Sequence, residues 1–403
     1  MTKFTRRTIN KLGNFEIWAL IPRIEPFHPI VKAITEMLYL LGIVMRNIRL
    51  ALMTESLKAI KLVKKLFSLR IVQIFIVLLL LIQLVPLILF YFMRPVPQTK
   101  INYGVTFSEK YTQQLGLDWQ QSYLKILDDL AVKNIRLIVY WDDVEKFPGS
   151  YDFSDIRWQL NEAEKRNLNV ILAVGRKVPR YPECFEPDWV KETKVEESRE
   201  NYLYQYLRQT ILTLKSYKSI KMWQVENEPF FPFGECKIAK RGTVENEVKI
   251  VRSIDTRPVL IQDSGEGGFW FPSYKLGDYL GISMYRKIWF DFGNFSIKKA
   301  IYIKYPLAHW AYKIKADLVG VPVNKIIVTE LQAEPWGPTF NAYLSKEEKD
   351  RTMSRSDFLE TISYSQKSGF KDLYFWGVEW WLWEKERENN PFYWDTAKAI
   401  LRQ

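Results

Sequence analysis

From Ile101 onward the chain repeats one alternation: a short apolar run, then a stretch with apolar residues at helical spacing. The runs are INYGVTF (101–107), NIRLIVYW (134–141), NVILAVG (169–175), IKMWQVENEP (220–229), RPVLIQDSG (257–265), YLGISMY (279–285), NKIIVTE (324–330) and KDLYFWG (371–377). Runs this short and this apolar fit parallel strands covered on both faces. Helices are expected near Trp119–Val132, Ser154–Arg166, Ser198–Lys215, Val244–Ile254, Ile297–Leu318, Lys346–Ser368 and Trp394–Leu401. Eight β/α units over residues 101–403 predict an α/β chain folded as a (β/α)8 TIM barrel. A doubly wound open sheet is the alternative. It is disfavoured because no glycine-rich phosphate loop follows the first strand, and GEGG (265–268) follows the fifth.

The residues before the barrel are of another kind. Ile71–Phe92 is 22 residues without a charge, enough to cross a hydrocarbon core of ~30 Å at ~1.5 Å per residue. A cleaved signal peptide would carry a far shorter charged region, and FYFMRPVPQ offers no small-residue cleavage site. The segment therefore reads as an uncleaved transmembrane signal-anchor. Lys58, Lys61, Lys64, Lys65 and Arg70 precede it, against Arg94 and Lys100 after it. That bias predicts a single-pass plasma-membrane protein with a cytoplasmic N-terminus and residues 93–403 outside. Ile30–Met53 is apolar but interrupted by Lys32, Glu36, Arg46 and Arg49, as in an amphipathic helix on the inner leaflet; a second crossing is the alternative. The expected domains are a basic arm (1–70), the span (71–92), a linker (93–100) and the barrel (101–403).

Charge follows the same division. The net +12 is made of +9 in residues 1–70, +2 in 71–100 and +1 in 101–403. The basic arm suits an anionic membrane surface, and the near-neutral barrel gives no reason to expect nucleic acid. Two histidines, His28 and His309, and two cysteines exclude a His-based zinc site, a four-Cys cage and a disulfide-rich scaffold. No metal or organic cofactor is expected. Cys184 and Cys236 fall in the loops after the third and fourth strands, where a disulfide and two separate thiols are both open.

In such a barrel the chemistry sits at the C-terminal ends of the strands. The fourth strand ends in Asn227-Glu228-Pro229, and the seventh ends in Glu330, 102 residues after Glu228. One strand-end glutamate is ordinarily a solvated loop residue. Two at these positions, both flanked by aromatics, are the pair a retaining glycosidase needs: a proton donor and a nucleophile ~5 Å apart. Glu226 competes with Glu228, but Pro229 is expected to fix an extended backbone at Glu228. Asp142, Asp143 and Asp263 also end strands. Glu334 and Glu379 lie in loops of the same face and are expected to bind substrate or ions. Trp141, Trp223, Trp270, Trp336, Trp380, Trp381 and Trp383 crowd these ends. Aromatic faces there can stack on pyranose rings or seal the barrel top.

WQVENEP (223–229) and IIVTELQAEPW (326–336) resemble the acid/base and nucleophile motifs of glycoside hydrolase clan A, the retaining β-glycosidases on (β/α)8 barrels. WDDVEKFPGSYDFSDIRW (141–158) is similar to the strand-two to helix-two connection of its cellulase-like and β-galactosidase-like members. The resemblance covers roughly residues 101–403. It implies Glu228 as general acid/base, its pKa raised by an apolar cleft and a neighbouring carboxylate, and Glu330 as the nucleophile forming a glycosyl ester. It further implies that Asn227 bonds the substrate 2-hydroxyl, Tyr285 donates to Glu330, Arg136 keeps the nucleophile charged and Trp376 floors the subsite of the reacting sugar. Trp141 and Trp336 are expected to add aromatic contacts. Neither histidine reaches a strand end where cellulase-like members place one, and Arg176 follows the third strand instead, so the sugar stays open. The expectation is a membrane-anchored, extracytoplasmic retaining β-glycoside hydrolase or transglycosylase acting on a β-linked oligo- or polysaccharide. A catalytically silent carbohydrate-binding protein using the same cleft is the alternative, and a membrane scaffold whose arm recruits cytoplasmic partners is a third.

Overall fold

The computed structural model of the chain describes residues 100–290 and 301–402, Gln98, and in the N-terminal part residues 40, 42–44, 46, 64–65 and 72–82. Two units are formed, Met1–Leu89 and Phe90–Gln403. In the first, residues 72–82 are helical and leave Ile74, Phe75, Val77, Leu78, Leu80, Leu81 and Ile82 exposed. Among the described residues no helix is long and apolar enough to cross a membrane. Of the expected span Ile71–Phe92, Ile71 and residues 83–92 lie outside the described residues, as does most of the expected amphipathic helix.

The second unit is a closed barrel of parallel strands: β1 (Asn102–Thr106), β2 (Asn134–Ile138), β3 (Asn169–Val174), β4 (Ile220–Val225), β5 (Val259–Asp263), β6 (Tyr279–Met284), β9 (Ile326–Gln332) and β10 (Asp372–Trp376). β10 pairs with β1 and closes the ring. All eight expected strands are present. Between β6 and β9 the chain adds an antiparallel pair outside the barrel, β7 (Lys287–Phe290) and β8 (Ile301–Lys304).

The helices largely follow the apolar spacing, at Trp119–Asp129, Ser154–Lys165, Glu196–Leu214, Arg241–Ile254 and Phe392–Leu401. Two expectations need correction. Of the helix expected over Ile297–Leu318, residues 297–300 lie outside the described residues, and the rest is β8 followed by a helix only at Ala311–Val319; Ile301, Tyr302 and Ile303 are β-branched or aromatic and favour a strand. The helix expected over Lys346–Ser368 is two, Lys346–Met353 and Arg355–Gln366. Ser354 divides them, its hydroxyl accepting the Asp357 N–H at 3.2 Å in a capping box.

Strand alternation sorts the barrel interior into layers. Ile171, Met222, Leu260, Ile327 and Tyr374 form a small apolar cluster of buried residues, one from each of five strands. Gly104 makes room for it: a Cβ there would meet the Tyr374 ring at 2.6 Å. Two residues further along the same strands stand Gln224, Gln262, Thr329 and Trp376, all buried. Polarity therefore rises toward the C-terminal ends. The residues between, such as Trp223, Val225, Val259, Ile261 and Val328, join the main core against the helices.

One buried group lies between the barrel and its helices. Glu247, on the helix Arg241–Ile254, has neither carboxyl oxygen matched by a donor among the described residues. Burial and the charge of Glu226 push its carboxyl well above the usual carboxylate range, so it keeps a proton and donates it to Glu226. The unfolded chain gives up that proton near the ordinary glutamate value, so stability is lost as pH rises from there through the native pKa. Glu247→Gln supplies an amide donor in place of the acid proton. Its thermal midpoint is expected to exceed the parent's at pH 8 and to match it at pH 4.

Candidate active site

Arg136, on β2, lies wholly buried across the barrel and uses all five of its N–H donors. Nε donates to Gln224 Oε1 at 2.7 Å. Nη1 donates to the Thr329 carbonyl at 3.3 Å and to Glu330 Oε1 at 3.1 Å. Nη2 donates to Asn227 Oδ1 at 2.8 Å and to Gln262 Oε1 at 2.5 Å. One guanidinium thus fixes side chains from β4, the turn after it, β5 and β9.

Glu330 sits in a cradle of donors. Besides Arg136, Gln262 Nε2 donates to Oε1 at 2.7 Å, and the Tyr285 hydroxyl donates to Oε2 at 3.2 Å. Burial and the Glu330 charge raise the Tyr285 pKa well above its ordinary value, so that hydroxyl stays a donor. Glu228 has the opposite surroundings. Its carboxyl receives one hydrogen bond, from Ser283 Oγ at 3.2 Å. Burial pushes it well above the usual carboxylate range, and the charges of Glu183 and Glu330 push it further. Ser283 Oγ also lies 3.4 Å from Glu266 Oε2, so its one proton serves two carboxyls. Glu266 is itself raised to about 7, mainly by burial.

The backbone that delivers Glu228 is not extended. Glu226 and Glu228 have φ of +60° and +48°, in the left-handed region. The chain turns instead, with Phe231 N–H donating to the Glu228 carbonyl at 3.0 Å and Lys177 Nζ to the same oxygen at 2.8 Å. Glu226 is turned away from the pair: its carboxylate accepts the N–H groups of Arg176 and Lys177 at 2.8 and 2.9 Å. Gly175 permits this approach, since a Cβ there would meet Glu226 Oε1 at 2.5 Å.

The loop after β3 reaches into the same region with Arg176, Lys177, Arg180, Glu183 and Glu186, all buried. A disulfide between Cys184 and Cys236 ties it to the loop after β4. Arg180 forms ion pairs with Glu334 and Glu379 and lies 3.8 Å from the Tyr111 ring centre and 4.1 Å from that of Trp376. Glu334 and Glu379, expected to bind substrate or ions, are thus committed to an internal cation. One face of Trp376 is covered by the same guanidinium. Glu183 accepts from Asn227 Nδ2 at 3.2 Å, and its carboxyl is raised to about 8, mainly by burial.

The structure therefore brings together Glu228, Glu330, Asn227, Arg136 and Tyr285. Trp336 is half-buried beside them, its ring 5.1 Å from Tyr285. Trp141 stands apart: it is fully buried, stacked on Tyr206 at 5.0 Å, and its N–H donates to Glu145, so its faces serve packing. Trp223, Trp270, Trp380 and Trp381 are likewise fully buried. Asp142 and Asp143 pair with Lys110, and Asp263 accepts from Ser264 N–H, Trp270 N–H and the Ser273 hydroxyl. Among the described residues no group of three or more His, Cys, Asp or Glu is placed to hold a metal ion.

Sequence reasoning missed Gln224, Gln262, Ser283, Lys177 and Glu183. The two glutamines carried a signal, being polar residues inside apolar strands at the same inward period as Met222 and Leu260. Glu183 carried none.

The closed eight-stranded parallel barrel fits the architecture of the clan A glycoside hydrolases. No protein-family model matches the chain, and no curated protein matches it. Among solved structures it is similar to an exo-β-1,4-mannosidase from Opitutaceae bacterium strain TAV5, with 14% identity, 77% of this chain and 61% of that one covered, and a TM-score of 0.49. The chain thus spans less than two thirds of that protein. It is also similar to xylanase 10B from Thermotoga petrophila RKU-1 in complex with xylobiose, at 14% identity, 75% and 94% coverage and a TM-score of 0.49. A β-glucosidase from Exiguobacterium marinum gives 12%, 69%, 88% and 0.45.

The Arg136 network has a measurable consequence. Arg136→Met leaves Glu330 buried without its cation and Gln224 Oε1 without a donor, while Asn227 Oδ1, Gln262 Oε1 and the Thr329 carbonyl each keep one, from Gln224, Thr329 and Thr106. The expected cost is about 3–5 kcal/mol, read by urea denaturation with tryptophan emission. Adding Glu330→Gln to Arg136→Met is expected to recover part of that loss, and an unchanged stability of the single variant would refute the role.

Proposed function

We propose that this chain is a retaining β-glycoside hydrolase or transglycosylase that acts on a β-linked oligo- or polysaccharide by double displacement. The observation that carries the reading is the unequal treatment of two carboxyls at the C-terminal ends of barrel strands. Glu330, surrounded by donors and paired with Arg136, is the nucleophile. Glu228, buried with one donor and pushed up by burial and neighbouring charge, holds the proton that the leaving oxygen needs. Attack by Glu330 on the anomeric carbon forms a glycosyl ester while Glu228 passes its proton to the departing oxygen. Glu228 then takes a proton from the water or acceptor hydroxyl that displaces Glu330. Asn227 is placed to bond the substrate 2-hydroxyl, and Trp336 offers an aromatic surface beside it. Glu330→Gly is expected to lower turnover by several powers of ten and to be rescued by azide with an α-configured product. Glu228→Ala is expected to keep activity on dinitrophenyl glycosides, whose departure needs little protonation, and to yield a β-configured azide product. Rescue products of exchanged configuration would exchange the roles. Sugar binding without turnover on any substrate would favour the carbohydrate-binding alternative.

The same reading places the barrel outside the cytoplasm, carried by a signal-anchor at Ile71–Phe92. The uncharged run, the basic residues before it and the exposed apolar side chains of residues 72–82 support the anchor. The Cys184–Cys236 disulfide supports an oxidising compartment for the barrel. Alkaline phosphatase fused after Gln403 is expected to be active in cells. An inactive phosphatase, with a fluorescent cytoplasmic reporter at the same point, would reverse the orientation.

A further inference from the structure

Glu183 is an ionisable group in this region that the two-carboxylate reaction leaves unused. It is 5% exposed, and it comes from a loop whose course is set by a left-handed residue and a disulfide rather than by a strand: its φ is +59°, and Cys184 follows it. Its Oε1 accepts one of the two amide hydrogens of Asn227 at 3.2 Å. The direction of that amide is settled, because Asn227 Oδ1 is held by Arg136 Nη2 at 2.8 Å and Gln224 Nε2 at 3.3 Å. Glu183 Oε2 is buried with no hydrogen-bond partner among the described residues. Lys177 Nζ forms an ion pair with it at 3.6 Å, beyond a hydrogen bond, and gives two of its three hydrogens to the carbonyls of Glu228 at 2.8 Å and Phe231 at 3.1 Å. A buried oxygen without a partner costs free energy unless something supplies one.

We propose that Glu183 is a specificity-determining residue whose Oε2, ion-paired with Lys177 but without a hydrogen bond, pairs with the C2 hydroxyl of the sugar that Asn227 contacts. The proposal rests on the glycosidase reading for the position of that sugar. The chemistry selects a hydroxyl for two reasons. The second Asn227 amide hydrogen and Glu183 Oε2 present a donor and a carboxyl oxygen side by side, and a hydroxyl accepts from the first while pairing with the second. A hydroxyl also serves Oε2 in either protonation state, donating to a carboxylate or accepting from a carboxylic acid, whereas a C2 hydrogen serves neither. The chain therefore reads the C2 position of its substrate with two residues, one from the end of β4 and one from the loop after β3.

Binding tests this without relying on turnover. The full-length chain is titrated calorimetrically with β-linked disaccharides of the gluco, manno and galacto series and with their 2-deoxy counterparts. For the series that binds best, loss of the 2-hydroxyl is expected to weaken the parent protein at least tenfold, ~1.4 kcal/mol, the size of one hydrogen bond. In Glu183→Leu the preference should fall at least threefold but not vanish, because Asn227 still donates to the hydroxyl. Glu183→Gln, which can still accept from Asn227 and meet a hydroxyl, should keep an intermediate preference. A Glu183→Leu variant that weakens both sugars equally, or keeps the tenfold preference, overturns the proposal. If Glu183→Leu fails to fold, Glu183→Gln decides, and an unchanged preference there overturns it. A parent protein that binds none of the sugars also overturns it. One that binds with the expected preference but hydrolyses nothing refutes the hydrolase reading alone.

Discussion

A single guanidinium, that of Arg136, holds the upper barrel together. Removing a positive charge from water is costly, and the interior repays it only when every donor finds an acceptor. Arg136 meets that condition with five bonds to five different residues, reaching Gln224, Asn227, Gln262, Thr329 and Glu330. Those partners come from strands that are not its neighbours, so the arginine acts as a cross-brace above the apolar layer of Ile171, Met222, Leu260, Ile327 and Tyr374. Strand register alone leaves polar side chains free to choose rotamers. The brace removes that choice for Asn227 and Glu330, and each gives up its freedom at folding rather than when a ligand arrives.

The braced residues face a wall made by a loop. The segment from Gly175 to Glu186 carries five buried charged side chains, and such a segment is stable only if each charge is matched where it lies. Arg180 is matched by Glu334 and Glu379, Arg176 and Arg199 by Glu186, and the backbone N–H groups of Arg176 and Lys177 by Glu226. Lys177 and Glu183 pair within the loop, and the outside partners come from the turns after β4 and β9, the helix Glu196–Leu214 and the start of the helix Val378–Arg387. Left-handed backbone at Arg180, Glu183, Glu226 and Glu228 clusters in the same region. Conformations of this kind persist only where the surroundings over-determine them, and here the ion pairs and the Cys184–Cys236 disulfide do so.

How much of this the sequence discloses depends on how local the cause is. The eight strands are legible because burial on both faces demands unbroken apolar runs, and Glu228, Asn227 and Glu330 are legible because they close such runs. Arg136 stands out as a charge inside one. The hairpin β7–β8 is not legible: residues 301–304 read as part of a longer helical stretch, and only their pairing with β7 makes them a strand. Trp141 looked like a cleft aromatic because it follows a strand, yet its ring turns onto Tyr206 from the helix Glu196–Leu214. Trp376 is in the expected place but shares its ring with Arg180, which lies 196 residues earlier in the chain. Glu183 is invisible for the same reason, since only the folded loop carries it to Asn227. The left-handed turn at Glu228 overrode the extended backbone that Pro229 favours.

The contrast between the two strand-end carboxyls is a matter of donors rather than of depth, because both are almost fully buried. Glu330 receives Arg136, Gln262 and Tyr285, while Glu228 receives Ser283, whose proton Glu266 also claims. A cleft that only held a sugar would gain from donors on both carboxyls, since each unpaired one costs stability in the empty protein. Withholding them from Glu228 makes sense when that carboxyl has to carry a proton into a reaction and recover it afterwards. On the proposed double-displacement reading, the sparse hydrogen bonding of Glu228, set against the crowded cradle of Glu330, suits a carboxyl that carries a proton, and it arises from which strand each neighbour stands on.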